Sequence, residues 1–175
     1  MTTPAYDVPP ALGAVVDEGR GSLPYALIHG EALVATAAWA MGESGVTLVD
    51  IGTEWAGIQE AGEPFVLHDS LCPMAPPGFI GDCVVRAVAS GAVVVGVHPA
   101  TAAADRGRLE VCSPVVLPAA VVAALDAWPS PDLDALVEAL QERFPVERVE
   151  APPEARRVGS EDDVARLAEL TGPAT

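Results

Sequence analysis

The chain has 175 residues, 50% of them hydrophobic, and its nine basic residues, all arginine, face 25 acidic ones for a net charge of −16. A length of this order supports one domain with a substantial core and is short for two. The charge sets nucleic acid and acidic membrane surfaces aside as partners, since both are bound through clustered Lys and Arg. A phosphate ligand would need a local arginine, a helix N-terminus or a bridging divalent cation.

The apolar stretches, such as Ala92 to Val97, fall far short of the roughly 20 residues that cross a bilayer. The opening "MTTPAYDVPP" has neither the basic nor the apolar segment of a targeting leader. Three cysteines, Cys72, Cys83 and Cys112, are an odd number without CxxC spacing, which argues against a disulfide framework or a zinc ribbon. The expectation is a soluble, cytoplasmic chain with reduced thiols.

In chain order, "LGAVV" (12–16) reads as a buried strand, followed by the turn-rich "DEGRGSLP" and a helical pattern through "EALVATAAWAM" (31–41). "VTLVDI" (46–51) and "PFVLHD" (64–69) are the second and third strands. "PPGFIGDCVVRAVAS" (76–90) is a helix opened by prolines, and "AVVVGVHP" (92–99) is the fourth strand. "RLEVCSP" (108–114) is a shorter strand. "PAAVVAALDAW" (118–128) and "PDLDALVEALQERF" (131–144) are helical, the second with Leu133, Leu136, Val137 and Leu140 at helix spacing. "VERVEA" (146–151) is a late strand. "SEDDVARLAEL" (160–170) is a last helix with Ser160 as N-cap and acids in its first turn. Residues 1–10 and the final "GPAT" read as frayed ends of a single domain spanning 11–171.

Continuous Val-rich strands imply burial on both faces, and strands separated by helices imply parallel pairing. The expected fold is an α/β three-layer sandwich around a mostly parallel, twisted sheet. Ligands in such sheets bind beyond the carboxyl ends of the strands. That rule selects the loop Asp17 to Pro24, the strand end His68 to Pro73 and the loop His98 to Gly107.

The blocks "LPYALIHGEALV", "VLHDSLCP", "GVHPAT", "LEVCSPVVLP", "DLDALVEAL" and "VERVEAPPEARRVGSEDDVARLAEL" resemble, in order and over nearly the whole chain, the 2-C-methyl-D-erythritol 4-phosphate cytidylyltransferases. The resemblance implies a Rossmann-like nucleotidyltransferase fold and transfer of CMP from CTP to 2-C-methyl-D-erythritol 4-phosphate or another polyol phosphate. It implies Gly19, Gly21 and Ser22 as nucleotide-binding positions, Asp69 as the ligand of Mg²⁺, and Arg20 and Arg157 as the cations that neutralise charge during in-line attack on the α-phosphate. The glycines allow backbone N–H groups to converge on phosphates.

The chain departs from that family pattern at several charged positions. The loop is short and carries Asp17 and Glu18; Tyr25 stands where the family has a lysine after proline; Arg157 stands for a second lysine. "PATAAAD" has alanine in the place of an acid, and the chain runs from Thr101 to Arg108 without the arm through which the family dimerises. These changes predict impaired or lost transfer, a pseudoenzyme, and a monomer or a homodimer built differently. Two other readings stand beside it. One is a non-catalytic small-ligand or regulatory module on the same fold. The other is a Cys-His hydrolase with Cys72 as nucleophile and His68 as base, although neighbouring polar residues on a strand point to opposite faces. His29, Trp39, Trp55 and Trp128 read as structural or packing residues, and Cys83 and Cys112 as core.

Overall fold

A computed structural model describes residues 7–50, 52–99 and 107–172. In chain order its elements are β1 (Ala11–Val16), β2 (Leu27–Ile28), β3 (Glu31–Ala32), α1 (Leu33–Glu43), β4 (Val46–Leu48), α2 (Trp55–Ala61), β5 (Phe65–Asp69), α3 (Pro77–Ser90), β6 (Val93–Pro99), β7 (Leu109–Leu117), α4 (Ala119–Ala124), α5 (Leu133–Gln141), β8 (Val146–Glu150) and α6 (Glu161–Thr171).

Six strands form one sheet in the order β4-β1-β5-β7-β6-β8, and β2 and β3 form a separate hairpin. β1 is parallel to β4 and β5, and β6 to β8, whereas β7 runs antiparallel to both β5 and β6. The mostly parallel sheet is thus observed, with one reversed strand. Only nine residues separate the end of β6 at Pro99 from the start of β7 at Leu109, fewer than the dozen or so that a parallel crossover needs.

Alternation along the strands divides the core into two layers. Phe65, Leu67, Val93, Val95, Val115 and Leu117 pack on one face with Trp55 and Ile58 of α2, Val121 of α4 and Leu136 and Leu140 of α5. Val66, Val94 and Val116 point the other way, against Met41 of α1 and Ile80, Cys83 and Val84 of α3. This is the three-layer sandwich that the unbroken apolar strands imply. Val146 to Glu150, by contrast, alternates partly buried and exposed residues, as an edge strand with one solvated side does.

Two close approaches depend on glycine. A Cβ at Gly13 would lie 2.6 Å from Met41 Cε and 2.8 Å from the Val66 carbonyl oxygen, and one at Gly96 would collide with the carbonyl of Ser113. Gly96 lies where the β6–β7 register shifts between Val95 and Val97.

Several sequence readings change at this level. Residues 31–32 belong to the hairpin, and α1 starts at Leu33; β4 ends at Leu48; β7 continues to Leu117, longer than the 108–114 reading. The "GTEWAGIQEAGE" connection contains α2, which tertiary contacts hold. Trp55 Nε1 donates to the Leu125 carbonyl at 3.0 Å, and Gln59 Nε2 donates to the Val122 and Leu125 carbonyls at 3.0 and 2.7 Å. Trp55, Phe65 and Trp128 form an aromatic cluster with centroids 5.4–5.6 Å apart. Trp39, read as a packing residue, is 63% exposed on α1. The segment 100–106, which holds most of "PATAAAD" and of the crossing that replaces the family arm, lies outside the described residues, as do Ile51 and the outer termini.

Candidate functional site

The tip of β5 is where the sequence concentrates polar residues, and the fold seals it. All five residues Phe65 to Asp69 are buried, because β5 sits between β1 and β7 with helices on both faces. Asp69 is 1% exposed. Its backbone N–H donates to Ser113 Oγ at 2.9 Å, and its Oδ1 accepts the Leu71 N–H at 2.9 Å, closing a side-chain turn beyond the strand.

Two arginines from distant segments meet this carboxylate. Arg20 Nε donates to Oδ1 at 2.8 Å and one terminal nitrogen donates to Oδ2 at 3.1 Å, a bidentate fork. That same nitrogen donates to the Pro131 carbonyl at 3.0 Å, and the other to the Glu18 carbonyl at 2.5 Å. Four of the five N–H donors of Arg20 are therefore spent on the protein itself, and its side chain is only 6% exposed. Arg157 reaches Oδ2 through Nε at 3.0 Å, with its side chain 40% exposed. The Val158 N–H donates to the Leu71 carbonyl at 2.8 Å, which fixes the Arg157 segment beside the strand tip.

Beyond this bridge opens a cleft of about 390 Å³ lined by Glu18, Gly19, Arg20, Asp69, Arg157, residues 111–112 of β7 and residues 131–134 at the start of α5. Three of the residues singled out from sequence, Arg20, Asp69 and Arg157, thus converge, with Gly19 on the wall. Gly21 and Ser22 are not among its lining residues. Gly19 and Gly21 have φ of 78° and 60°, so both use the left-handed backbone region that favours glycine. Tyr25 is 63% exposed, and its hydroxyl meets Asp17 Oδ2 at 3.3 Å.

A magnesium ion at this strand tip would rely on Asp69. Mg²⁺ is held through free carboxylate oxygens, usually with bound water and substrate phosphates. Both oxygens of Asp69 are already taken by guanidinium groups, and one also accepts a backbone N–H. Among the described residues there is no group of three or more His, Cys, Asp or Glu side chains placed to share a cation. A divalent ion would have to displace two fixed positive charges. The residues do not fit it.

No hydrogen bond joins His68 to Cys72 among the described residues, as a base and its nucleophile would need. His68 Nδ1 is hydrogen-bonded to Ser113 Oγ at 2.5 Å, and its Nε2 is buried with no partner among the described residues. Burial lowers the imidazole to about 4, the neighbouring Asp69 charge opposing only part of that shift. Cys72 is fully buried, and desolvation first, then Asp69 and Cys112, pushes its thiol well up. An inert thiol and a neutral imidazole make a structural pair. Cys83 and Cys112 are also buried, pushed up by desolvation to about 12 and about 11.

A strand-tip acid, a glycine-containing loop and a late arginine thus surround one cleft. A 4-diphosphocytidyl-2C-methyl-D-erythritol synthase from Anaerococcus prevotii superposes with a TM-score of 0.61 over 92% of this chain and 97% of its own, at 10% identity. A 2-C-methyl-D-erythritol 4-phosphate cytidylyltransferase from Thermus thermophilus gives the same TM-score over 90% and 97%, at 18% identity. The chain has the cytidylyltransferase fold. No protein-family model and no curated protein matches it by sequence, so the likeness extends to the cytidylyltransferase architecture and leaves the chemistry to be argued from the cleft.

Sequence reasoning missed what supports the cleft from behind. Ser113, which orients both His68 and the Asp69 backbone, was hidden inside an apolar strand. Pro131 and Asp132 belong to a helix start, where Asp132 caps α5 by accepting the Ala135 N–H at 3.1 Å. The 131–144 reading puts both residues inside the helix, whereas α5 starts at Leu133 and Asp132 is its cap.

Proposed function

We propose that this protein is a cytidylyltransferase-like small-ligand-binding module in which metal-dependent transfer of CMP from CTP to a polyol phosphate is impaired or lost. The observation that carries the reading is the Arg20–Asp69–Arg157 bridge: the acid expected to hold Mg²⁺ holds two arginines instead. Phosphoryl and nucleotidyl transfer rest on positioning and on neutralising charge that develops on the phosphates. Arg20 has one N–H left for a ligand, and Glu18, Asp132 and Asp134 line the same cleft. A triphosphate there would meet three carboxylates with one half-exposed cation, Arg157, to offset them.

The fold supports a second reading, a slow transferase acting on 2-C-methyl-D-erythritol 4-phosphate or a related polyol phosphate. Release of pyrophosphate from CTP in the presence of that acceptor and Mg²⁺ separates the two. The module reading predicts no release above a sample lacking protein. Turnover that Asp69→Asn abolishes would instead establish the transferase.

A further inference from the structure

A hollow of about 520 Å³ lies between the β2–β3 hairpin, α1 and Met74 beyond β5, and none of its residues lines the strand-tip cleft. We propose that it binds a primary organic ammonium ion with an apolar body, the charged end at Glu31 and the hydrocarbon against Trp39.

The volume falls in the roughly 300–1,000 Å³ range of small-molecule sites, which are mainly apolar with a few polar groups. Here the buried Ile28, Met74 and the indole of Trp39 form the apolar wall, and His29, Glu31 and Thr36 supply the polar groups. Surface helices ordinarily turn charged or polar side chains outward. α1 instead has no charged residue from Leu33 to Gly42, and its outer side presents Ala35 and Trp39 to solvent. The indole is thus left bare beside the hollow.

Local backbone sets the place of the carboxylate. His29 and Gly30 have φ of 50° and 84°, the left-handed pair that a two-residue hairpin turn favours, and the pairing of Ile28 with Glu31 closes it. α1 starts two residues later, at Leu33. The turn therefore returns Glu31 to the head of the helix whose next two turns carry Ala35 and Trp39 on the wall of the same hollow.

The polar side chains there accept hydrogen bonds and have no proton left to give. Thr36 Oγ1 donates to the Ala32 carbonyl at 3.1 Å. Thr171 Oγ1 donates to the Leu167 carbonyl at 2.8 Å, so in its 2.8 Å contact with His29 Nε2 it is the acceptor. The neutral imidazole then keeps Nδ1 as an acceptor. Glu31 is exposed and makes no hydrogen bond or ion pair among the described residues. A ligand must bring the donors, and an ammonium group brings three.

Charge selects the same ligand. The chain has no lysine and no arginine from Gly21 to Val85, and none of the described arginines lines the hollow. A net charge of −16 draws a small cation towards this uncompensated carboxylate and repels a second copy of the chain from it. An ammonium ion seated at Glu31 also shares the hollow with an indole, whose face attracts cations.

This site is independent of the strand-tip cleft and of whether CTP enters there. It is tested by calorimetric titration of the full chain at about pH 7 in about 0.15 M sodium chloride, which screens the diffuse field of the protein. The probes are phenethylamine, protonated at that pH, and 2-phenylethanol, its neutral counterpart of nearly the same shape. Saturable binding of the amine is expected, at least about threefold tighter than that of the alcohol and at least about threefold weaker in Glu31→Gln and in Trp39→Leu, the size of one exposed ion pair or cation–π contact. Both positions are exposed, and an unchanged circular dichroism spectrum verifies the fold; the comparison of amine with alcohol needs no variant. No saturable binding below about 10 mM amine, equal binding of the alcohol, or undiminished binding in either variant overturns the proposal.

Discussion

Arg20 is the side chain on which the strand tip depends. It joins the loop after β1, the carboxylate at the end of β5 and the Pro131 carbonyl ahead of α5. Removing the buried partner leaves the Asp69 charge with only the half-exposed Arg157 to offset it, so Arg20→Ala should lower stability by about 3 kcal/mol in urea unfolding. Adding Asp69→Asn to that variant should recover part of the loss, because the under-compensated buried charge is gone while Arg157 can turn to solvent; a double variant less stable than Arg20→Ala contradicts the clamp. His68 supplies a pH dependence. Its native value near 4 lies below the ordinary 6.5, so the unfolded chain takes up the proton first and stability falls as pH drops from about 6.5 towards 4. The contribution amounts to about 3 kcal/mol over that window, and His68→Leu should flatten the slope between pH 7 and pH 5 whatever it does to the stability at pH 7. An undiminished slope would place its origin in other groups.

Among the elements, β7 decides the geometry of the site. It is the reversed strand, it carries Ser113 against Asp69, and its close approach to β6 requires Gly96. A methyl group at position 96 would press on backbone rather than on a flexible side chain, so Gly96→Ala should cost at least about 3 kcal/mol, the upper end for overpacking. It should also displace Ser113; an unchanged melting temperature contradicts this account of the β6–β7 contact. Most of the elements were legible in the sequence because unbroken Val-rich runs and the spacing of Leu133, Leu136, Val137 and Leu140 encode burial directly. α2 was not, since its helix is held by Trp55 and Gln59 bonding to carbonyls of a segment more than sixty residues away in sequence. The reversal of β7 and the two-residue strands of the hairpin were equally silent, because neither leaves a periodic pattern. Asp69, Arg20 and Arg157 were each legible as charged residues at loop or strand ends. That they bind one another was not, since pairing across 49 and 88 residues is a property of the fold.

For the whole molecule, 25 acidic residues against nine basic ones mean self-repulsion in the native state. The exposed pairs Arg86–Glu147 and Arg166–Asp163 do little to offset it. Moderate salt screens exposed charges over about 10 Å, so the melting temperature should rise as sodium chloride is raised from low concentration to about 0.2 M; a fall would mean that attractive surface pairs dominate. The same charge bears on function, because every anionic ligand must find its cations locally. In the cleft at the strand tip Asp69 holds both of them, Arg20 and Arg157. Calorimetric titration of the full chain with CTP, in Mg²⁺ and in EDTA, measures the consequence most directly. If Asp69 serves as a clamp for two arginines, Mg²⁺ will give no gain in CTP affinity, whereas binding that appears only with Mg²⁺ and is lost in Asp69→Asn would contradict that role.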